Sequence, residues 1–466
     1  MMPPVLGGTS VSRGDSRPAK ALAWFGRTPA WPLLLLLFAF PLWWILGFGS
    51  LGFLIVGALL FYQLLKLPTI SVPPGFVFWA LFLGVATLGV FVLWVPVPGL
   101  MPESGSSRIL SWAFRLIWLI ASTAVMLYIG NSSRKLLPDK ALICGLGAMF
   151  IFTVIGGYAG IFFGRVDFPS LLEAVLPHSV ATNNFLASQI HPGLAQVQDI
   201  LGYDSARPKA PFEYANSWGA NFGLLLPFYL LSFRYAKLKI VKLALWCGLL
   251  ASIPPAVLSL NRAMWIGLAA IGLLAIIRLA ISGRLMALGI TVFSLVTATM
   301  VFIATPLWNV IETRLANPHS NTGRTNLAEY TILTALEHSP IIGFGSTRTR
   351  QGNFFSIAAG ATADCHQCNP PQLGTQGTLW FLIFCTGFLG TILFLAYFIR
   401  HFTPVLVAKD PIQRAMIYPA VFFACVLPTY DTITTSLFIL MIAVGISWRR
   451  TAVPIDAPSS RKGLKI

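Results

Sequence analysis

Charge is what this sequence has least of. Only 10% of its 466 residues are Asp, Glu, Lys or Arg, against about a quarter in a soluble domain, and the mean hydropathy is +0.76. That shortage excludes a soluble multidomain enzyme, and disorder, collagen and coiled coil fail on the same composition. Acid is scarcer than base, with 15 Asp and Glu against 32 Lys and Arg. Cysteine is limited to six residues. Cys365-His366-Gln367-Cys368 has no second pair to complete the four ligands of a zinc site. There is no clear internal repeat, no low-complexity tract and no lipidation motif. The absence of a repeat disfavours a transporter built from two similar halves.

What is present is apolar residue, 56% of the chain, in blocks of about 17 to 25 residues, the length of a helix crossing a bilayer core. The reading is an all-α integral membrane protein. Its spans fall at roughly 31–47, 49–66, 75–95, 109–130, 141–163, 214–233, 241–259, 263–281, 285–305, 376–399, 414–428 and 431–448, about twelve in all. The first is expected to be a retained anchor behind a basic tail, 1–30, with a second basic tail at 449–466. If the N-terminus is cytoplasmic, 22 Lys and Arg with 4 Asp and Glu face that side. Another 9 and 11 face the other, and Arg115 lies inside a span. The net charge of +17 therefore follows the positive-inside rule and gives no reason to expect nucleic acid. Most connections are short, but 164–213 and 306–375 are long and face outward on this topology. Loops of that length are usually functional or disordered, and their mixed composition favours order.

A few polar residues stand out against this background. Arg262 follows Asn261, which is placed to cap the next span, so Arg262 falls in the first helical turn. A cation there opposes the helix dipole and makes sense if an anion binds at that end. The bland alternative is an interfacial Arg snorkelling to lipid phosphate. Arg324, in Asn321-Thr322-Gly323-Arg324-Thr325, precedes a stretch from Asn326 to Ser339 free of Gly and Pro, which reads as a helix of about four turns. A solvent-facing Arg is the alternative there. Arg115 lies about two turns inside the fourth span, where charge is costly and by default functional. Asp431 opens the last span, where a carboxylate suits a helix N-terminus. The oxidising outer side favours a disulfide between Cys365 and Cys368.

Thr322-Gly323-Arg324-Thr325, then Leu333 to His338, Pro340 and Gly343-Phe344-Gly345, resembles the signature of the O-antigen ligase and polymerase superfamily. Arg262-Ala263-Met264-Trp265 resembles its Arg-bearing span start, and Tyr214-Ala215-Asn216-Ser217-Trp218-Gly219 its Asn-bearing segment. Gly387-Phe388-Leu389-Gly390 resembles the closing Gly-x-x-Gly of the span after the large loop, so the likeness covers roughly 141–400. The resemblance implies a GT-C-like, metal-independent glycosyltransferase without a cofactor. It would move a polyprenyl-diphosphate-linked glycan to a hydroxyl of a glycan or lipid acceptor on the outer face of the cytoplasmic membrane. Arg262 and Arg324 match the family's arginines and would hold the diphosphate. Asn216, Arg314 and Arg115 are expected to bind substrate. Where the family carries a His-Asn pair, this chain has Gln376-Gly377. Glutamine orients a hydroxyl but does not accept its proton, which makes His366 the nearest replacement, with Gln376 positioning the acceptor. The rival expectations are a flippase or other transporter of lipid-linked sugars and a family member without activity.

Overall fold

The computed structural model describes residues 29–101, 104–181, 184–199, 204–316, 319–349 and 372–451. Over these residues it is a membrane-embedded helical bundle with two short strand pairs. Five helices are long and apolar enough to cross a bilayer: Gly105–Asn131, Asp139–Phe162, Lys239–Leu258, Arg262–Ile281 and Thr378–Leu406. Shorter apolar helices, among them Leu51–Leu64, Phe76–Val92 and Pro411–Val426, pack between them. Of the twelve expected spans, five correspond to helices of crossing length among the described residues. The expected first span breaks at Ala39 into Trp31–Phe38 and Phe40–Ile45, with Pro41 in the first turn of the second piece. Proline suits that position because its missing N–H has no partner to lose there.

The element that most shapes the bundle is the break in Thr378–Leu406. Gly387 adopts φ 65°, ψ −176°, a conformation outside the helical region that a side chain would strain. The gap is filled by the turn around Gly343-Phe344-Gly345. The Phe344 and Gly345 N–H groups donate to the carbonyls of Phe384 and Cys385, at 2.8 and 2.9 Å. The Phe388 and Leu389 N–H groups in turn donate to the carbonyls of Pro340 and Ile341, at 2.8 and 3.3 Å. An apolar environment penalises unpaired backbone groups heavily, and this four-bond exchange satisfies them. A Cβ on Gly387 would sit 2.1 Å from the Ile341 carbonyl oxygen. The spacing of these glycines, conspicuous in the sequence, is thus dictated by backbone packing.

A second packing node fixes where the polar residues gather. The buried Phe422 ring, on the Ile417–Val426 helix, lies against Gly223 of Ala215–Ser232 and Gly267 of Arg262–Ile281. A Cβ on either glycine would approach the ring to 1.9 or 2.7 Å, so small residues let these three helices close up. Their neighbouring ends then meet: the start of one carries Asn216, the start of another Arg262, and the loop after the third Tyr430. The antiparallel pair Ala195–Asp199 and Asp204–Pro208, with Gln196 opposite Arg207, lies at this same end. Elsewhere in the bundle, Arg449 and Arg450 at the end of Thr435–Thr451 bind Asp139 at the start of Asp139–Phe162. Arg450 also binds Asp410.

Candidate functional site

Arg207 is the hinge of the site and was not singled out from the sequence. Its guanidinium is buried and spends its donors on neutral acceptors. Nε donates to the Ser259 carbonyl at 3.0 Å, Nη1 to Gln198 Oε1 at 2.9 Å, and Nη2 to Asn216 Oδ1 at 3.1 Å and Asn261 Oδ1 at 2.6 Å. Asn261 Nδ2 donates in turn to the Ala215 carbonyl at 2.9 Å. Asn261 thus makes no side-chain cap for the Arg262 helix, contrary to expectation. Its amide is drawn away because the guanidinium is the stronger partner, a charge-assisted bond against a neutral one. Asn216, expected to touch substrate, here orients Arg207.

Three further arginines lie around it. Arg262 is the first residue of its helix, as expected. Arg324 lies in His319–His338, a helix that begins earlier than the sequence suggests. Arg314, on Pro306–Ala316, is buried, and its Nε donates to the Leu260 carbonyl at 3.4 Å. Leu260 is held at φ 56°, a conformation rare and strained for a side chain of its size. Arg314 is within electrostatic reach of Arg207, Arg262 and Arg324, and Arg262 is within reach of Arg324. Burial lowers the Arg314 pKa to about 10, with the three arginines adding to the effect and Tyr430 opposing it. Burial likewise lowers Arg207 to about 10, opposed by Tyr430 and reinforced by Arg324. Among the described residues no carboxylate ion-pairs with Arg207 or Arg324.

Tyr430, also unforeseen, is buried within electrostatic reach of these cations. Burial raises its pKa, while Arg207, Arg324 and Arg314 and a hydrogen bond from the Met264 backbone pull the other way. Its carbonyl accepts from the Thr378 N–H at 2.9 Å and the Thr378 hydroxyl at 3.1 Å. The start of the kinked helix is thereby tied to the arginine cluster, and Gln376 lies two residues before it. Gln376 is the second described non-glycine residue with positive φ, at 65°. Both strained residues flank this one region, where such conformations tend to mark function.

Arg115 takes a different place from the other arginines. It forms an ion pair with Asp431, donates to the Ile433 carbonyl at 3.3 Å and stacks over the Phe381 ring at 5.2 Å. The last helix begins at Thr435, so Asp431 serves Arg115 from the preceding loop and not a helix N-terminus. His366, Cys365 and Cys368 lie outside the described residues. The signal that could have found Arg207 was its position as a cation nine residues before Asn216. For Tyr430 no such signal exists, since its role follows from three-dimensional convergence alone. No family model matches the chain, and no curated protein matches it.

Proposed function

We propose that this protein is a glycosyltransferase of the cell envelope that moves a glycan from a polyprenyl diphosphate to an acceptor hydroxyl. The observation that carries this reading is the convergence of Arg207, Arg262, Arg314 and Arg324 on Tyr430 at one end of an apolar bundle. Crowded like charges destabilise one another, and burial adds to the cost. A diphosphate brings compensating negative charge, and guanidinium groups match its oxygens in bidentate fashion. A lipid tail suits the surrounding bundle. The acceptor oxygen attacks the anomeric carbon, forming the new glycosidic bond as the bond to the diphosphate oxygen breaks. The departing electron pair is stabilised by the arginines, fixed cations aimed at developing charge. Arg207, held by four bonds to neutral acceptors, keeps the site's shape, while Arg262 and Arg324 take the diphosphate with Arg314 beside them. Gln376 orients the acceptor, and the chemistry asks for no metal or cofactor.

On this reading the fold is the GT-C-like twelve-span arrangement of the O-antigen ligase and polymerase superfamily. Both termini are cytoplasmic, and the site faces outward from the cytoplasmic membrane. The Lys and Arg asymmetry supports that orientation. A cysteine introduced at Ser320 should be labelled in intact cells by a membrane-impermeant reagent; labelling only after permeabilisation would reverse the topology. A flippase draws on one observation, the broken helix at Gly387, since transporters place ions at such breaks. Here the exposed backbone groups are already paired by the 340–345 turn, which favours transfer over transport. Deleting the gene should cause intact polyprenyl-diphosphate-linked glycan to accumulate and its polymeric or ligated product to vanish. An unchanged lipid-linked pool would contradict the reading.

A further inference from the structure

Arg262 follows a link of three residues, Ser259-Leu260-Asn261, between the helices Ile253–Leu258 and Arg262–Ile281. All three are buried, and each is gripped from outside the link. Arg207 Nε donates to the Ser259 carbonyl at 3.0 Å, and its Nη2 donates to Asn261 Oδ1 at 2.6 Å. Between them, Arg314 Nε donates to the Leu260 carbonyl at 3.4 Å. The Asn261 amide donates across to the Ala215 carbonyl at 2.9 Å. One turn into the second helix, the Trp265 indole N–H reaches back to the Ala256 carbonyl at 3.0 Å and braces the two helices. Gly219 makes room for the Asn261 amide, since a Cβ there would lie 2.5 Å from Nδ2 and 2.9 Å from Cγ.

A leucine at φ 56° persists only where its surroundings over-determine it. Two guanidinium groups and a side-chain amide do that here. The strain costs stability, and it falls two residues before an arginine assigned to the diphosphate. The course of the link also sets the Cα–Cβ direction of Arg262. Resting on the transferase reading, we infer that Ser259-Leu260-Asn261 is a preset mount for Arg262, and that Arg207, Asn261 and Gly219 are positioning residues acting through it. Arg207 suits this part because its planar fork also reaches Gln198 Oε1 at 2.9 Å and Asn216 Oδ1 at 3.1 Å. The strand pair, the start of Ala215–Ser232 and the link are thus tied to one rigid group, which the single nitrogen of lysine does not reproduce. A cation fixed before the substrate arrives stabilises developing negative charge without reorganisation at the moment of reaction. Misplacing a group by about 1 Å can cost roughly a hundredfold in rate. The mount also accounts for Gly219 in the segment from Tyr214, where a side chain would collide with the amide.

The test is a double-mutant cycle on the full-length protein in phosphatidylglycerol-containing vesicles, with the polyprenyl-diphosphate glycan fraction extracted from the native cells as donor. Arg207→Lys keeps the charge and loses the fork. Gly219→Ala leaves both arginines and Asn261 in the sequence and displaces only the amide. Each should lower kcat about tenfold while changing the donor KM less than about threefold, as misplacement of a fixed cation does. In an Arg262→Ala background each should change the rate less than about twofold, because no arginine remains there to be misplaced. Losses that multiply with the loss from Arg262→Ala overturn the inference, since Arg207 and Gly219 would then act independently of Arg262. Wild-type kcat in folded Arg207→Lys also overturns it. Thermal unfolding in detergent identifies the folded variants; if Gly219→Ala does not fold, Asn261→Ala, which removes the same amide, takes its place in the cycle. If wild type transfers no glycan, the transferase reading fails, and the cycle is read instead as affinity for polyprenyl diphosphate. Non-additive losses of affinity then uphold the mount, and additive losses, or no binding by wild type, overturn it.

Discussion

Two groups of arginines in this chain, one of consecutive residues and one gathered from distant segments, differ in what surrounds them. Arg449 and Arg450 meet Asp139 and Asp410, so each cation has a carboxylate against it. Arg314 lies within electrostatic reach of Arg207, Arg262, Arg324 and Tyr430, and Arg207 is held by amides and a carbonyl. Both groups carry a desolvation cost. The first offsets it within the protein and is a clasp joining the last helix to Asp139–Phe162. On the proposed function, the diphosphate adds negative charge beside the second group and the clasp binds no ligand.

The largest effect that would break this contrast lies in the clasp. Arg449→Met leaves Asp139 short of a buried partner, and loss of one member of a buried pair costs about 3–5 kcal/mol. Thermal unfolding in detergent should register that loss, while transfer per folded molecule stays near wild type. A variant stable but inactive would give the clasp a role in the reaction. Next come Arg262→Ala and Arg324→Ala, each expected to cut transfer about a hundred- to a thousandfold, as loss of one charge-stabilising group does. Stability should be unchanged or improved, because like-charge crowding is relieved. Arg→Lys at either position should also be costly, since a point charge does not reproduce the bidentate fork. Full transfer in both alanine variants would return these arginines to lipid snorkelling. The smallest effect sharpens the contrast between strain and packing. Gln376→Gly should stabilise the fold by about 1 kcal/mol through relief of the left-handed conformation, while transfer falls several-fold as acceptor orientation is lost.

The comparison also explains what could be read from the sequence. Helical, membrane-embedded character was legible because apolar blocks of spanning length allow little else. Arg262 at a helix start was legible because helix boundaries carry local signals, whereas Arg324, expected near another start, lies in the second turn of a helix that begins at His319. Gly343, Gly345 and Gly387 were visible as a pattern, but their purpose was not. Nothing in the sequence says that one turn fills the break in a helix more than forty residues away. Asn261 was expected as a cap because propensity considers only its own helix, whereas Arg207 competes from a strand 54 residues earlier. Arg115 read as a free intramembrane cation because its partner, Asp431, is 316 residues distant. Partners this remote in sequence decide which arginines are neutralised, so the distinction between clasp and site emerges only in three dimensions.

On the proposed function, the four-arginine end of the bundle binds a lipid diphosphate. The most direct test of this is the affinity of purified protein for polyprenyl diphosphate compared with polyprenyl monophosphate, measured for wild type, Arg324→Ala and Arg449→Met. The prediction is that wild type and Arg449→Met favour the diphosphate equally, and that Arg324→Ala loses at least tenfold of that preference, about 1.4 kcal/mol. Equal affinity for both lipids in wild type, or an undiminished diphosphate preference in Arg324→Ala, would contradict it.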